Sequence, residues 1–228
     1  MVKKQSRVKL LLAVIVIVVI ISALTVVLGT QLNQGRVPGV KAGDVFIYEM
    51  KGSWSSNDPN VTVSEGFKQI NMTEYYKVTV TEVDGPKVSI NTNWRFDNGT
   101  EFNMTGYVNI DSGTTYPSDY FSRIYAANLQ VSDILRPSGM VQTTVNETYT
   151  KEYASGVTRQ TNRVEESNLL QDAEDPTGST TWERYVNFQF DKQTGILVQL
   201  SDINIYSNPQ LLVVTTWTLK ESNVWAVS

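Results

Sequence analysis

Residues 88–96, VSINTNWRF, place Val88, Ile90 and Trp94 at one parity and small polar or charged side chains at the other. Because successive side chains of a strand point to opposite faces, this period of two predicts an antiparallel strand with one buried and one solvated face. An α-helix of 3.6-residue period would mix these two sets of side chains. This stretch therefore indicates a β fold.

Turn signals on both sides extend this strand into a meander. Asp84-Gly85 lies before it and is typical of a hairpin turn, and residues 97–100, DNGT, follow it. The flanking segments again carry apolar residues at one parity, namely Ile70, Met72, Tyr76, Val78 and Val80 before the first turn and Phe102, Met104, Val108 and Ile110 after the second. We expect three consecutive strands here, with Trp94, Phe96 and Phe102 packed in the core.

The rest of the chain beyond residue 43 predicts further strands and one or two short helices. Residues 119–129, DYFSRIYAANL, are the best helix candidate because Pro117-Ser118 precede them and their apolar residues would share a stripe. Strand patterns and intervening loops account for the remainder, with strands at 45–50, 184–190, 196–206 and 211–220, two more within 139–168, and loops at 52–66, 171–181, 191–195 and 207–209. The expected fold is mainly β, a meander-type curved sheet or a sandwich spanning residues 43–228.

An apolar segment precedes this domain. Residues 10–29, LLLAVIVIVVIISALTVVLG, carry no charge and would span about 30 Å as a helix, the thickness of the hydrocarbon core. Four basic residues lie within 1–9, and the first acid after the segment is Asp44. The sequence therefore predicts a single-pass membrane anchor with a cytoplasmic N-terminus, a stalk at 30–42 and an extracytoplasmic domain. A cleaved signal peptide and a pilin-like leader for surface assembly are the alternatives.

Composition restricts the chemistry. The chain contains neither Cys nor His, so it offers no thiol nucleophile, no imidazole base and no imidazole metal ligand. Four of the nineteen basic residues precede the anchor and all twenty-three acidic residues follow it, which leaves the domain strongly acidic and argues against a nucleic-acid partner. We predict no catalytic residues, no cofactor and no metal site, although a carboxylate-based hydrolase stays open.

Two sets of surface residues are candidate sites. Tyr75 and Tyr107 fall on the polar faces of their strands and are candidates for surface binding. Five Asn-x-Thr sequons are candidates for N-glycosylation because the predicted topology places them outside the cytoplasm, at Asn60, Asn71, Asn98, Asn103 and Asn146.

Three stretches resemble a set of uncharacterised archaeal membrane-anchored extracytoplasmic proteins. Residues 39–49, GVKAGDVFIYE, are similar to the GVKxGD and YE opening of that set, and residues 191–198, DKQTGILV, to its late hairpin. Residues 127–133, ANLQVSD, resemble its internal motif, with Ser132 where Gly is expected. The hairpins also resemble those of bacterial lipoprotein carriers, whose curved sheet holds acyl chains, an analogy of fold alone.

These observations favour a non-catalytic membrane-anchored domain that binds a partner at the cell envelope, whether an envelope protein or a glycan. A carrier of a lipid or other apolar small ligand is the alternative. A carrier needs an apolar face that core packing leaves unfilled, whereas an interaction module has a filled core and a functional outer surface.

Overall fold

The computed structural model describes residues 36–118, 120–171 and 181–227, which form one ten-stranded antiparallel sheet and one helix. The helix is α1 (Glu65–Asn71). The strands are β1 (Val45–Ser56), β2 (Thr73–Asp84), β3 (Lys87–Phe96), β4 (Glu101–Asn109), β5 (Thr115–Tyr116), β6 (Glu147–Glu152), β7 (Thr158–Gln171), β8 (Thr181–Asp191), β9 (Leu197–Ser207) and β10 (Gln210–Ser222). The mainly β prediction is confirmed, as one sheet and not as a sandwich of two.

The N-terminal predictions fall outside this part of the chain. The basic flank 1–9, the apolar segment 10–29 and residues 30–35 of the stalk lie outside the described residues, so the membrane anchor stays a prediction. The described part of the predicted stalk, residues 36–42, packs on the domain, with Val40 buried in the core and Pro38 bridged to Ala126. Among the residues that the structure describes, no helix combines the length and the apolar character needed to cross a membrane. The greater part of the predicted loop 171–181 is likewise outside the described ranges.

Two five-stranded meanders build the sheet, and they join where the first strand meets the last. The strand order is β5-β4-β3-β2-β1-β10-β9-β8-β7-β6. β1 and β10 pair from Phe46↔Ser222 to Ser56↔Leu211. As a result the two edge strands, β5 and β6, follow one another in the chain.

The connection between these edge strands must cross the whole sheet. Nine strand spacings of about 4.8 Å separate the edges by roughly 43 Å. Residues 120–146, here the crossing segment, make this path over one face, which we call the inner face. The Tyr120 hydroxyl lies 3.0 Å from the carbonyl oxygen of Ile90 on β3, and Asn162 Nδ2 on β7 donates to the Leu129 carbonyl at 2.9 Å.

The helix predicted at 119–129 is wrong, because residues 120–129 belong to the extended crossing segment. The Tyr125 N–H donates to the Gly195 carbonyl at 2.9 Å, and Ile124 forms an isolated bridge with Ile196. The expected apolar stripe is indeed buried, but Tyr120 and Ala126 are buried with it, so burial does not follow one helical face. Hydrogen bonds to other elements replace those of a helix, and tertiary context outweighs local propensity.

Helix α1 occurs where the sequence predicts a loop and the start of a strand. Ser64 caps it, since its Oγ accepts a hydrogen bond from the Phe67 N–H at 3.2 Å. Only Phe67 is buried in its seven residues, so it leaves almost no apolar periodicity in the sequence. Ile70 and Met72 therefore precede β2 and do not belong to it.

The meander predictions are confirmed. β3 buries Val88, Ile90 and Phe96 on the inner face, and the turns after Asp84 and Phe96 lie as predicted. The two strands expected within 139–168 are β6 and β7, and the C-terminal strands occur in the predicted order. β1 is longer than its predicted span 45–50, because its second half also pairs with β10. The sequence did not predict this extension, since Gly and Ser in that half have low β propensity.

The position where the sequence resemblance expects Gly is strained in this chain. Ser132 has φ of +72°, in the left-handed region that disfavours side chains with a Cβ. We expect Ser132→Gly to raise the free energy of unfolding by about 0.5–1 kcal/mol, because relief of strain exceeds the greater entropy of Gly in the unfolded chain. Urea unfolding followed by tryptophan fluorescence measures it, and a variant less stable than the parent would contradict the strain argument.

Candidate functional site

A groove opens on the inner face between β4 and β9. Its volume of about 450 Å³ lies in the range of small-molecule sites. Six strands and the crossing segment supply its apolar lining, which comprises Met50, Tyr76, Trp94, Phe102, Met104, Phe121, Leu200 and Trp217.

The groove exists because the crossing segment covers only part of the inner face. At one end of β3 and β4 the inward residues Ile90 and Val108 are fully buried. Towards the other end Phe102 and Met104 have the same parity but are 57% and 45% exposed. The expectation that Phe102 and Trp94 pack in a filled core is therefore wrong: Phe102 is exposed, Trp94 is half-buried, and both line the groove.

Aromatic rings form a tightly packed groove floor. The Tyr76 and Trp217 centroids are 5.0 Å apart in an edge-to-face arrangement, and Phe121 stacks on Tyr76 at 6.1 Å. Trp94 meets Tyr76 edge-on at 6.1 Å. Burial raises the pKa of Tyr76 to about 12, so its hydroxyl is neutral at physiological pH. The floor is a preorganised and uncharged surface.

The β9 end of the groove is polar. Asp202 lies there, and Arg184 of β8 holds its carboxylate, with Nη2 2.5 Å from Oδ2 and Nε 3.1 Å from Oδ1. Asn204 Nδ2 donates to the same carboxylate at 3.1 Å. The hydrogen bond to Asp202 raises the pKa of the Arg184 guanidinium. Asp202 is thus already neutralised by a charge-assisted pair.

A second guanidinium lines the groove beside this pair. Arg123, on the crossing segment, is half-buried, and its Cζ lies 5.5 Å from the Phe188 ring centroid. Its Nη1 is 3.5 Å from the Tyr125 hydroxyl, at the limit of a hydrogen bond. Within the described part of the chain, no carboxylate lies within 4.0 Å of its nitrogens.

The structure does not bring Tyr75 and Tyr107 into one site. Both lie on the outer face, where their β3 partners Arg95 and Ser89 are six residues apart, which corresponds to about 20 Å. Tyr75 lines a shallow polar depression, whereas Tyr107 stacks on Tyr116 and carries the Lys87 ammonium 4.5 Å above its ring.

All five sequon asparagines are exposed. Asn103 faces outward on β4 and Asn98 lies in a turn, as predicted, but Asn71 ends α1 instead of lying on a strand. The Asn71 amide accepts from the Gly52 N–H at 2.7 Å and donates to the Gly52 carbonyl at 2.8 Å. A glycan on Asn71 Nδ2 would compete with the second bond, whereas Asn103 Oδ1 only accepts, from Asn93.

Sequence reasoning found the residues of the groove but misplaced them. Parity correctly put Trp94, Phe102 and Met104 on the inner face, yet parity cannot show where the crossing segment ends. Arg123 was missed because its segment was predicted to be a helix. Across the described ranges, no group of three or more acidic side chains is arranged to hold a metal ion.

Comparison with known proteins adds no relative. No protein-family model matches the sequence, and a search of curated proteins finds no match. The resemblance to archaeal extracytoplasmic proteins stays a prediction.

Proposed function

We propose that this protein is a membrane-tethered binding domain that holds an apolar small ligand in the groove, outside the cytoplasm. The proposal rests on the unfilled aromatic groove of the inner face, where Phe102 and Met104 are exposed beside the aromatic floor. Apolar surface exposed to water in a concavity of this size is unfavourable, and a ligand that covers it recovers that free energy.

The proposal selects the carrier among the alternatives that the sequence leaves open. A module that acts only through its outer surface has no need of an open groove behind it. The single carboxylate of the described groove lining, Asp202, is paired with Arg184. Glycoside hydrolysis needs two carboxyl groups across the substrate, so this lining favours binding over catalysis.

Tethering suits such a role. A hydrophobic segment at 10–29 would keep the groove close to the outer leaflet, where apolar and amphiphilic molecules are concentrated. Residues 36–42 of the predicted stalk pack on the domain, where Val40 is buried and Pro38 bridges to Ala126, so residues 30–35 would be the connection to the anchor. Neither the retained anchor nor its orientation is needed for the groove to bind, so the two parts of the proposal are tested separately.

Quenching of tryptophan fluorescence by a brominated ligand tests the groove directly. The full chain is placed in phosphatidylcholine nanodiscs and titrated with 11-bromoundecanol, a neutral chain whose bromine quenches indole on contact. We expect saturable quenching, because Trp94 and Trp217 line the groove. Met104→Glu should weaken binding about tenfold or more, since it places a charge against the apolar chain.

Met140→Glu is the matched control, because it makes the same change at a fully exposed site outside the groove lining. It should bind the alcohol as the parent does. Equal quenching in Met104→Glu and the parent, or no saturable quenching at all, would remove the groove as the binding site.

A further inference from the structure

We propose that the ligand is an anionic amphiphile, whose apolar chain lies on the aromatic floor and whose negatively charged group binds Arg123. This inference rests on the proposed function and specifies the ligand.

Polarity changes along the groove from one end to the other. At the β4 end the lining is Phe102 and Met104, and Tyr76 and Trp217 continue it across β2 and β10. At the β9 end the lining is Asp202, Asn204 and Arg123. Five strand spacings separate β4 from β9, about 24 Å, which accommodates a chain laid across the strands with its polar group at one end.

Arg123 is the group at that end whose hydrogen-bonding capacity is least used. The Arg184 guanidinium is committed to Asp202, and the Arg136 guanidinium donates to the backbone carbonyls of Ser122, Asn109 and Ile110. Arg123 has five N–H donors, and the described part of the chain offers its side chain only the long contact to the Tyr125 hydroxyl.

Local charge favours an anion at Arg123 although the domain is acidic overall. Asp202, the carboxylate of the described groove lining, is paired with Arg184, whereas Glu166 on β7 accepts from the Thr143 hydroxyl at 2.5 Å and keeps its negative charge. Arg123 has no carboxylate within 4.0 Å in the described part of the chain and only the long contact to Tyr125, so a ligand carboxylate or phosphate would satisfy its remaining donors with charge-assisted bonds. Repulsion from the distant acidic surface is screened beyond about 8 Å at physiological salt.

Three probes that share one chain isolate the contribution of the charge. The full chain in phosphatidylcholine nanodiscs is titrated at pH 8 with 11-bromoundecanoate, 11-bromoundecyl phosphate and 11-bromoundecanol, with tryptophan quenching as the readout. We expect at least one of the two anions to bind about tenfold to hundredfold more tightly than the alcohol, the usual range for one charged hydrogen-bonded contact. A preference for the phosphate identifies a phospholipid-type head, and a preference for the carboxylate identifies a fatty acid.

Arg123→Gln should bind the anions and the alcohol with similar affinity, and Arg123→Lys should recover part of the difference. Unchanged alcohol binding in Arg123→Gln shows that the groove is still formed. Arg95→Gln is the charge-matched control, because Arg95 lies on the outer face, and it should keep the full preference for anions.

The outcomes separate the two proposals. If the parent binds the alcohol and the anions equally, or if Arg123→Gln keeps the preference, the anionic ligand is wrong while the groove stands. If none of the three probes gives saturable quenching, the proposed function fails as well.

Discussion

Asp191→Asn is expected to lower the free energy of unfolding by about 3–5 kcal/mol, the usual cost of removing one partner from a buried ion pair. The Asp191 side chain is 1% exposed and accepts from Arg159 Nε at 2.6 Å and Nη2 at 2.9 Å. Its Oδ1 also accepts from the Thr194 N–H and hydroxyl. Asparagine would present an N–H group to these donors and leave the Arg159 guanidinium without its counter-charge.

The position of Asp191 explains why its substitution should destabilise the whole domain and not only the 191–195 turn. The 191–195 turn contacts two other parts of the chain, because the Asn128 N–H donates to the Lys192 carbonyl at 2.7 Å and Gly39 packs against Gln193. The Arg159 guanidinium also stacks over Trp225, with Cζ 4.3 Å from the ring centroid. Asp191 therefore stabilises a junction of the crossing segment, the N-terminal approach to β1 and the C-terminal segment.

Urea unfolding of the full chain in nanodiscs measures the effect. Glu101→Gln is the matched control, since Glu101 pairs with Arg95 on the exposed outer face and such pairs contribute little. We expect a change of at most about 0.5 kcal/mol for the control. An Asp191→Asn variant as stable as Glu101→Gln would contradict the role assigned to this junction.

Gly195→Ala is expected to lower the free energy of unfolding by about 3 kcal/mol, for two reasons that add. Gly195 has φ of +74°, where a Cβ costs about 1–2 kcal/mol. A Cβ there would also lie 2.0 Å from the Tyr125 carbonyl oxygen, so the crossing segment would have to move, at a typical cost of about 1–3 kcal/mol. The displaced backbone includes the bond from the Tyr125 N–H to the Gly195 carbonyl.

Gly156→Ala separates the cost of backbone strain from the cost of the steric clash. Gly156 has φ of +80°, but a Cβ there has no neighbour within 4 Å. Thermal unfolding should show the strain alone, about 1 kcal/mol, for Gly156→Ala and the larger loss for Gly195→Ala. Because the same segment carries Phe121 and Arg123, Gly195→Ala should also weaken binding of 11-bromoundecanoate. Equal losses of stability in the two variants would show that the crossing segment does not pack on this turn.

The strands could be predicted because their signal is local. Alternation at 88–96 and the Gly-containing turns at 85, 99 and 195 specify hairpins within a few residues of chain. The path of the crossing segment could not be predicted, because its backbone is satisfied by distant residues such as Val37, Gly195 and Lys192. An apolar helix stripe and a buried extended segment give similar sequence patterns at 120–129.

The residues of the candidate site were also predictable only in part, because strand parity is a local signal and the path of the crossing segment is not. Parity assigns Trp94, Phe102 and Met104 to the inner face, yet their exposure depends on how far the crossing segment extends over the sheet. Ser132 is an instructive case, because the expectation of Gly there came from a resemblance and its positive φ now supplies the physical reason. Arg123 carries no sequence signal, since the role proposed for it depends on the pairing of Asp202 with Arg184.

Native mass spectrometry of the full chain, purified gently from its own host, determines whether the groove holds a ligand. Glycan mass is assigned first by deglycosylation, and the native and denatured masses are then compared for the parent, Met104→Glu and Met140→Glu. The groove predicts a discrete additional mass that disappears on denaturation, is retained in Met140→Glu and is lost in Met104→Glu. A parent chain that carries no additional mass, or a mass that Met104→Glu retains in full, would contradict a ligand held in the groove.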